Sequence, residues 1–179
     1  AKALCEENSG RFSWFCNIDP RMGGNTTTTD FTRVLMFYKE LGAKGVGELT
    51  SNVYADDPKM DNMFYHCAEC DMPVLVHISS EPGNGYGIAD DLGLPRIEKM
   101  LKKYPKLRII GHSACFWSEI SSDNTDEIRG GYPEGKVSEG RIAELMREYG
   151  NLYCDLSAGS GSNAMMRDPE YAAKFLTEF

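Results

Sequence analysis

Apolar and polar positions along this chain follow two rhythms that alternate. Short, nearly continuous apolar runs recur at Phe12–Ile18, Lys44–Leu49, Pro73–Ile78, Leu107–His112 and Asn151–Leu156. Runs of this length, rich in Val, Ile, Leu and aromatic residues, predict short buried strands. Between them apolar residues return every three or four positions: Phe31, Val34, Leu35, Tyr38 and Leu41; Met60, Met63, Phe64 and Cys67; Leu94, Ile97, Leu101 and Tyr104; Ile142, Leu145, Met146 and Tyr149. That spacing places one apolar stripe on a helix. A last segment, Asp168–Phe179, repeats Tyr171, Ala172, Phe175, Leu176 and Phe179 and reads as a fifth helix after the fifth strand.

The ends of the helical segments have chemical support. Thr29 or Asp30, Asp57-Pro58, Ser138 and Asp168-Pro169 suit helix starts, and Gly42 and Gly150 suit helix stops. Strict alternation of strand and helix, at roughly 30 residues per unit, predicts parallel strands joined by helical crossovers. An open doubly wound sheet would usually carry a glycine-rich phosphate loop after its first strand. Residues Asp19–Asn25 hold no G-x-G-x-x-G spacing. The favoured expectation is an α/β fold of the TIM-barrel type, (β/α)8, incomplete in this chain. About five β/α units, residues 1–179, form one partial domain.

Composition narrows the setting. The chain has 179 residues, 41% of them hydrophobic, as in an ordinary single globular domain. No run approaches the roughly 18 consecutive apolar residues of a membrane span, and Ala1–Glu7 lacks the apolar stretch of a signal peptide. A soluble, cytoplasmic protein is expected. A net charge of -8 and a pI near 4.9 exclude nucleic acid and an anionic membrane as partners, since both need a basic face. The expected partners are a small-molecule substrate and further copies of the chain, a homo-oligomer. Six cysteines lie mostly inside apolar patterns and are expected as reduced thiols. The C-x-x-C of Cys67 and Cys70 reads as core and surface cysteines, not a metal site, because Cys67 falls on a helical stripe and no second pair exists. His66 beside them reads as a helix-surface residue.

Polar residues with acid, base or metal-binding capacity collect where the strands end: Asp19 just beyond the first, Glu48 in the second, His77 in the third, His112 in the fourth and Asp155 in the fifth. Parallel α/β folds gather the carboxyl ends of their strands at one rim. A carboxylate and two imidazoles on neighbouring strands, about 4.8 Å apart, reach one ion. Zinc suits such ligands, with manganese or iron as alternatives. A lone histidine after an apolar strand is more often a bonded core residue. Two at matching positions, in a chain with only three, favour a shared role.

Gly45-Val-Gly-Glu48, Pro73-Val-Leu-Val-His77, Leu107-Arg-Ile-Ile-Gly-His112 and Asn151-Leu-Tyr-Cys-Asp155 resemble the fourth to seventh strands of the amidohydrolase superfamily. They are similar, more narrowly, to the amidohydrolase-related branch that includes aminocarboxymuconate-semialdehyde decarboxylase and pyrone-dicarboxylate lactonase. Arg11–Pro20 resembles that branch's third strand, and Tyr54–Asp61 its loop after strand four. The resemblance implies that His77 is a metal ligand. It implies that His112 is either a ligand to a second metal or the base that activates metal-bound water, and that Glu48 occupies the position of a carboxylate or carboxylated lysine between two metals. Metal binding would lower the pKa of water and so generate a nucleophile. The implied activity is hydrolysis of a small carboxylate-bearing or cyclic ester or amide. Decarboxylation on the same fold, or a non-catalytic β/α binding module, is the alternative.

The family's H-x-H of strand one and its aspartate of strand eight have no counterpart in this sequence. Strands one, two and eight are therefore expected from further chain at both ends. Asp155, which belongs to strand seven, is expected to be a structural or substrate-side residue. The long polar segment Cys115–Lys136 reads either as a solvated loop or, through Phe116, Trp117, Arg129 and Tyr132, as a cover over substrate. Trp117 and Asp155 are the substrate-binding candidates. The loop Ser79–Gly87, with glycines that permit tight turns, is expected to shape the pocket.

Overall fold

The Val- and Ile-rich runs form parallel strands, and the striped segments form the helices that cover them. In the computed structural model, which describes residues 1–83 and 85–179, the order is α1 (Lys2–Glu7), α2 (Thr32–Glu40), β1 (Val46–Leu49), β2 (Ser51–Tyr54), α3 (Pro58–Glu69), β3 (Val74–Ser79), β4 (Gly87–Ala89), α4 (Pro95–Lys103) and β5 (Ile109–His112). It continues with α5 (Ala114–Trp117), a 3-10 turn (Ser118–Ile120), α6 (Arg141–Glu148), β6 (Leu152–Cys154), α7 (Ala158–Met166) and α8 (Pro169–Glu178). Asn84, in the loop expected to shape the pocket, lies outside the described residues.

All strand pairs are parallel. β1 pairs with β3, β3 with β5, and β5 with β6, so these four stand side by side in chain order. β4 is inserted at the carboxyl rim between β3 and β2, giving six strands in all. The first expected strand is much reduced. Residues Trp14–Cys16 run along the chain beside β1 through three backbone bonds, Lys44 N to Trp14 O (2.9 Å), Cys16 N to Gly45 O (2.9 Å) and Gly47 N to Cys16 O (2.8 Å), with one isolated bridge, Cys16 to Val46. Among the described residues this segment is bonded to the sheet through β1 and the residues just before it.

Side chains alternate across a strand, and here the alternation separates two unlike faces. Val74, Val76 and Ile78 of β3, Ile109 of β5 and Leu152 of β6 are buried in one core with Leu35, Phe64, Leu101, Leu145 and Phe175 from α2, α3, α4, α6 and α8. On the opposite face Leu75 and Ile110 are only partly buried, and Tyr153 is 47% exposed. Helices cover one face of the sheet and leave the other open.

Capping follows the sequence at two helices. Asp57 Oδ1 accepts from Lys59 N at the start of α3 and Asp168 Oδ1 from Tyr171 N at α8, whereas α2 has Phe31 at its N-cap and Asp30, one position earlier, accepts from Thr32 N. Ser138 caps nothing. α6 begins at Arg141 with Gly140 at its N-cap, and Ser138 instead bonds through its backbone to Ser121 Oγ and Ser122 N. All six cysteines are free thiols. Cys67 and Cys70 are both buried, and burial pushes each thiol up, so neither presents a ready thiolate. His66 is more enclosed than a helix-surface residue: it lies edge-on to Phe31 and its Nδ1 is 3.0 Å from Thr32 Oγ1. Among the described residues no helix is long and apolar enough to cross a membrane.

Candidate metal centre

The open face of the sheet carries its polar residues at one end. β3 and β5 are in register from Val74–Ile109 to His77–His112, which sets the two histidines side by side at the carboxyl rim. Their ring centroids are 5.3 Å apart at 64°. Glu48 arrives from β1 on the other side of His77. Gly47 has φ +145°, and a Cβ there would sit 2.7 Å from the Leu75 carbonyl oxygen, so only glycine lets β1 come this close to β3 just before Glu48. Gly87 does the same for β4, since its Cβ would lie 2.8 Å from the His77 carbonyl oxygen.

The three side chains converge. Glu48 Oε1 is bonded to His77 Nδ1 and lies 3.5 Å from His112 Nε2. One ligand atom from each of Glu48, His77 and His112 lies within 4.8 Å of the other two, and among the described residues no other set of His, Cys, Asp or Glu does this. The imidazoles are shielded, with side-chain exposures of 16% and 11%, while Glu48 at 34% keeps a route to solvent. Burial pulls the His77 pKa below the ordinary histidine range and His112 nearby adds to this, although the bond to Glu48 opposes it. The neutral ring that results is the form with a lone pair to give. One carboxylate oxygen and two imidazole nitrogens form a donor set that could hold a metal ion.

Asp155 stands behind His112. Its Oδ2 lies 2.6 Å from His112 Nδ1 and also accepts from the backbone N–H of Ser157 at 3.3 Å. The hydroxyl of Ser157 lies against the same oxygen. The Asp155 backbone is fixed at both ends of the residue, its N–H on the Gly111 carbonyl (3.0 Å) and its carbonyl accepting from Trp117 Nε1 (2.8 Å).

The other candidates fall elsewhere. Trp117, expected against substrate, is 2% exposed and packs in α5 between Phe116 and Phe175, behind the site. Arg129 is also buried, donating to Asp126 Oδ1 and the Asp91 carbonyl. Part of the 115–136 segment is thus core and not cover, while Tyr132 is exposed. Asp19 is engaged by Arg21, whose side chain holds its carboxyl below the usual carboxylate range. The loop expected to shape the pocket contributes Tyr86, whose ring lies 4.3 Å from that of His77. It also contributes Ser79, buried two positions beyond His77 on the same strand face, with no partner for its hydroxyl among the described residues. Both line a cavity of about 310 Å³ with His77, Ala114 and Cys115.

No protein-family model matches the chain, and no curated protein or solved structure matches it. The chemistry of the site therefore rests on its own geometry.

Proposed function

We propose that the chain carries the metal centre of a metal-dependent hydrolase of the amidohydrolase type, acting on a small carboxylate-bearing or cyclic ester or amide. The observation that supports this most directly is the convergence of Glu48, His77 and His112, from three adjacent parallel strands, within 4.8 Å at the carboxyl rim. Functional groups of parallel α/β enzymes gather at that rim. Glu48 and His77 hold the ion, and His112 presents Nε2 toward the same point, either as a further ligand or as the atom that takes a proton from water. A bound divalent ion supplies Lewis acidity, which makes water a nucleophile near neutral pH. The cavity of about 310 Å³ beside His77 is at the small end of ligand sites and suits a compact substrate.

The same reading takes the sheet as an arc of a (β/α)8 barrel. β1, β3, β5 and β6, placed side by side in chain order with helices on one face only, support that arrangement, because a barrel's inner face has no helices. An open face bearing Leu75, Ile110 and Tyr153 needs covering, and it favours association of the chain with further copies of itself.

The test combines metal content with product analysis. Protein expressed from its complete reading frame is expected to retain about one to two divalent ions per chain after dialysis, and to open small lactones or lactams that bear a carboxylate. Failure to retain any ion would overturn the reading, and release of carbon dioxide without ring opening would assign decarboxylation instead.

A further inference from the structure

We propose that Asp155 is the positioning residue of the centre: it fixes His112 as the Nδ1–H tautomer, so that the Nε2 lone pair faces Glu48 and the ion. This rests on the metal-centre reading for its consequence, but not for its geometry. Asp155 Oδ2 receives the Ser157 backbone N–H, which can only donate, and sits 2.6 Å from His112 Nδ1. An oxygen that already accepts from an amide and lies against the Ser157 hydroxyl is a carboxylate acceptor. His112 Nδ1 must then carry the hydrogen, and in the neutral ring the other nitrogen is left unprotonated. That nitrogen is the one 3.5 Å from Glu48 Oε1.

The carboxylate is itself held in place. Asp155 N bonds to Gly111 of the neighbouring strand, and the Asp155 carbonyl takes the Trp117 indole N–H. With the backbone pinned on both sides of Cα, the carboxylate has little freedom to leave the imidazole. Groups that orient a metal-bound histidine through its other nitrogen commonly change metal affinity by roughly ten- to hundredfold when removed. The sequence offers Asp155 as a structural or substrate-side residue at a strand end; its bond to His112 makes it part of the centre without contact with the ion.

Two variants separate orientation from mere support. Asp155→Ala removes the acceptor and frees the ring to take either tautomer. Asp155→Asn keeps an acceptor, because the Ser157 backbone N–H still demands an oxygen at that point, but removes the charge. The ¹⁵N chemical shifts of the His112 ring in metal-free protein at about pH 8, above the histidine range, report the tautomer, and competitive titration with zinc reports affinity. Wild type and Asp155→Asn are expected to show the Nδ1–H form and Asp155→Ala a mixture. Zinc affinity is expected to fall at least tenfold in Asp155→Ala and only a few-fold in Asp155→Asn. An Nε2–H tautomer in wild type overturns the proposal without any variant. So does an Asp155→Ala protein that keeps both the wild-type tautomer and the wild-type affinity. If wild type shows Nδ1–H yet binds no zinc, the hydrolase reading fails while the assignment of the tautomer stands.

Discussion

The same strands build both faces of the sheet, and the two faces are unlike in chemistry. Toward the helices β3 offers Val74, Val76 and Ile78, all essentially inaccessible, one layer of a core to which every major helix contributes. Toward the open side it offers Leu75 and His77, and its neighbour offers Ile110 and His112. The covered face is made of many interchangeable apolar contacts, whereas the open face depends on a few polar groups whose positions are set by register. A two-residue slip between β3 and β5 would keep each side chain on its own face but would part His77 from His112. Stability and site chemistry therefore reside largely on opposite sides of a common backbone, and substitutions should separate the two.

The largest effect is expected on the covered side. Phe64 of α3 is wholly buried, and Phe64→Ala should cost about 3–5 kcal/mol in urea unfolding, while refolded protein keeps zinc affinity within about threefold. A large loss of affinity with little loss of stability would break the separation.

Next comes Asp90, a buried acid on the helix-covered side. It accepts from the backbone N–H groups of Asp91 (2.8 Å), Arg96 (3.0 Å) and Ile97 (2.8 Å), so it caps α4 from a distance in sequence. Burial pushes its carboxyl from 3.8 up to about 6, against the effect of those bonds. The folded chain then holds this proton more tightly than the unfolded chain, so the contribution is greatest in acid and is lost as pH rises from about 4 to about 6. At about 1.4 kcal/mol per pKa unit the loss is about 3 kcal/mol. Asp90→Asn should remove that decline. Parallel stability-versus-pH curves for the two proteins would refute the assignment.

These elements differ in how far the sequence announced them. The striped helices and the runs at 44–49, 73–78, 107–112 and 151–156 were legible because each carries its own periodicity or a continuous apolar run. β2 and β4 were not, since Ser51–Tyr54 and Gly87–Ala89 are too short for a pattern and pair only because the rim of β3 is available. α7, with the sequence AGSGSNAMM, reads as a loop by propensity; its small buried residues Ser160, Gly161 and Ala164 are placed by tertiary packing instead. In the site, the type and level of Glu48, His77 and His112 were legible from strand ends. The bond from His112 to Asp155 was not, because it depends on side-chain reach between strands. The burial of Trp117 follows from Cys115-Phe-Trp117, a short apolar run inside a polar segment.

On the open side, His77→Ala should lower zinc affinity at least tenfold, about 1.4 kcal/mol or more, and change the stability of metal-free protein by less than about 1 kcal/mol. Wild-type affinity should also be level above about pH 7 and fall in acid, because both imidazoles must be neutral to bind. The lowered pKa of His77 moves its own proton competition below the ordinary histidine value of 6.5. The corresponding contribution to stability is present above that range and lost as pH falls through it. Unchanged zinc affinity in His77→Ala, or affinity that rises in acid, would remove His77 from the centre.

The smallest effect is expected where the two faces meet, at Trp117. Its ring belongs to the covered side, packed with Phe116 and Phe175, while its indole N–H reaches the Asp155 carbonyl, 2.8 Å away, on the strand that serves the open side. Trp117→Phe keeps an aromatic ring in the core and deletes the donor. The lost bond should cost about 1 kcal/mol of stability. If the covered face were fully independent of the site, zinc affinity would not move. If the indole steadies Asp155 and through it His112, affinity should fall about threefold, less than for His77→Ala because no ligand is removed. A double-mutant cycle separates these outcomes: with Asp155→Ala already in place, Trp117→Phe should still cost stability but have no further effect on zinc. An equal loss of affinity in both backgrounds would mean that Trp117 acts on the centre by some route other than Asp155.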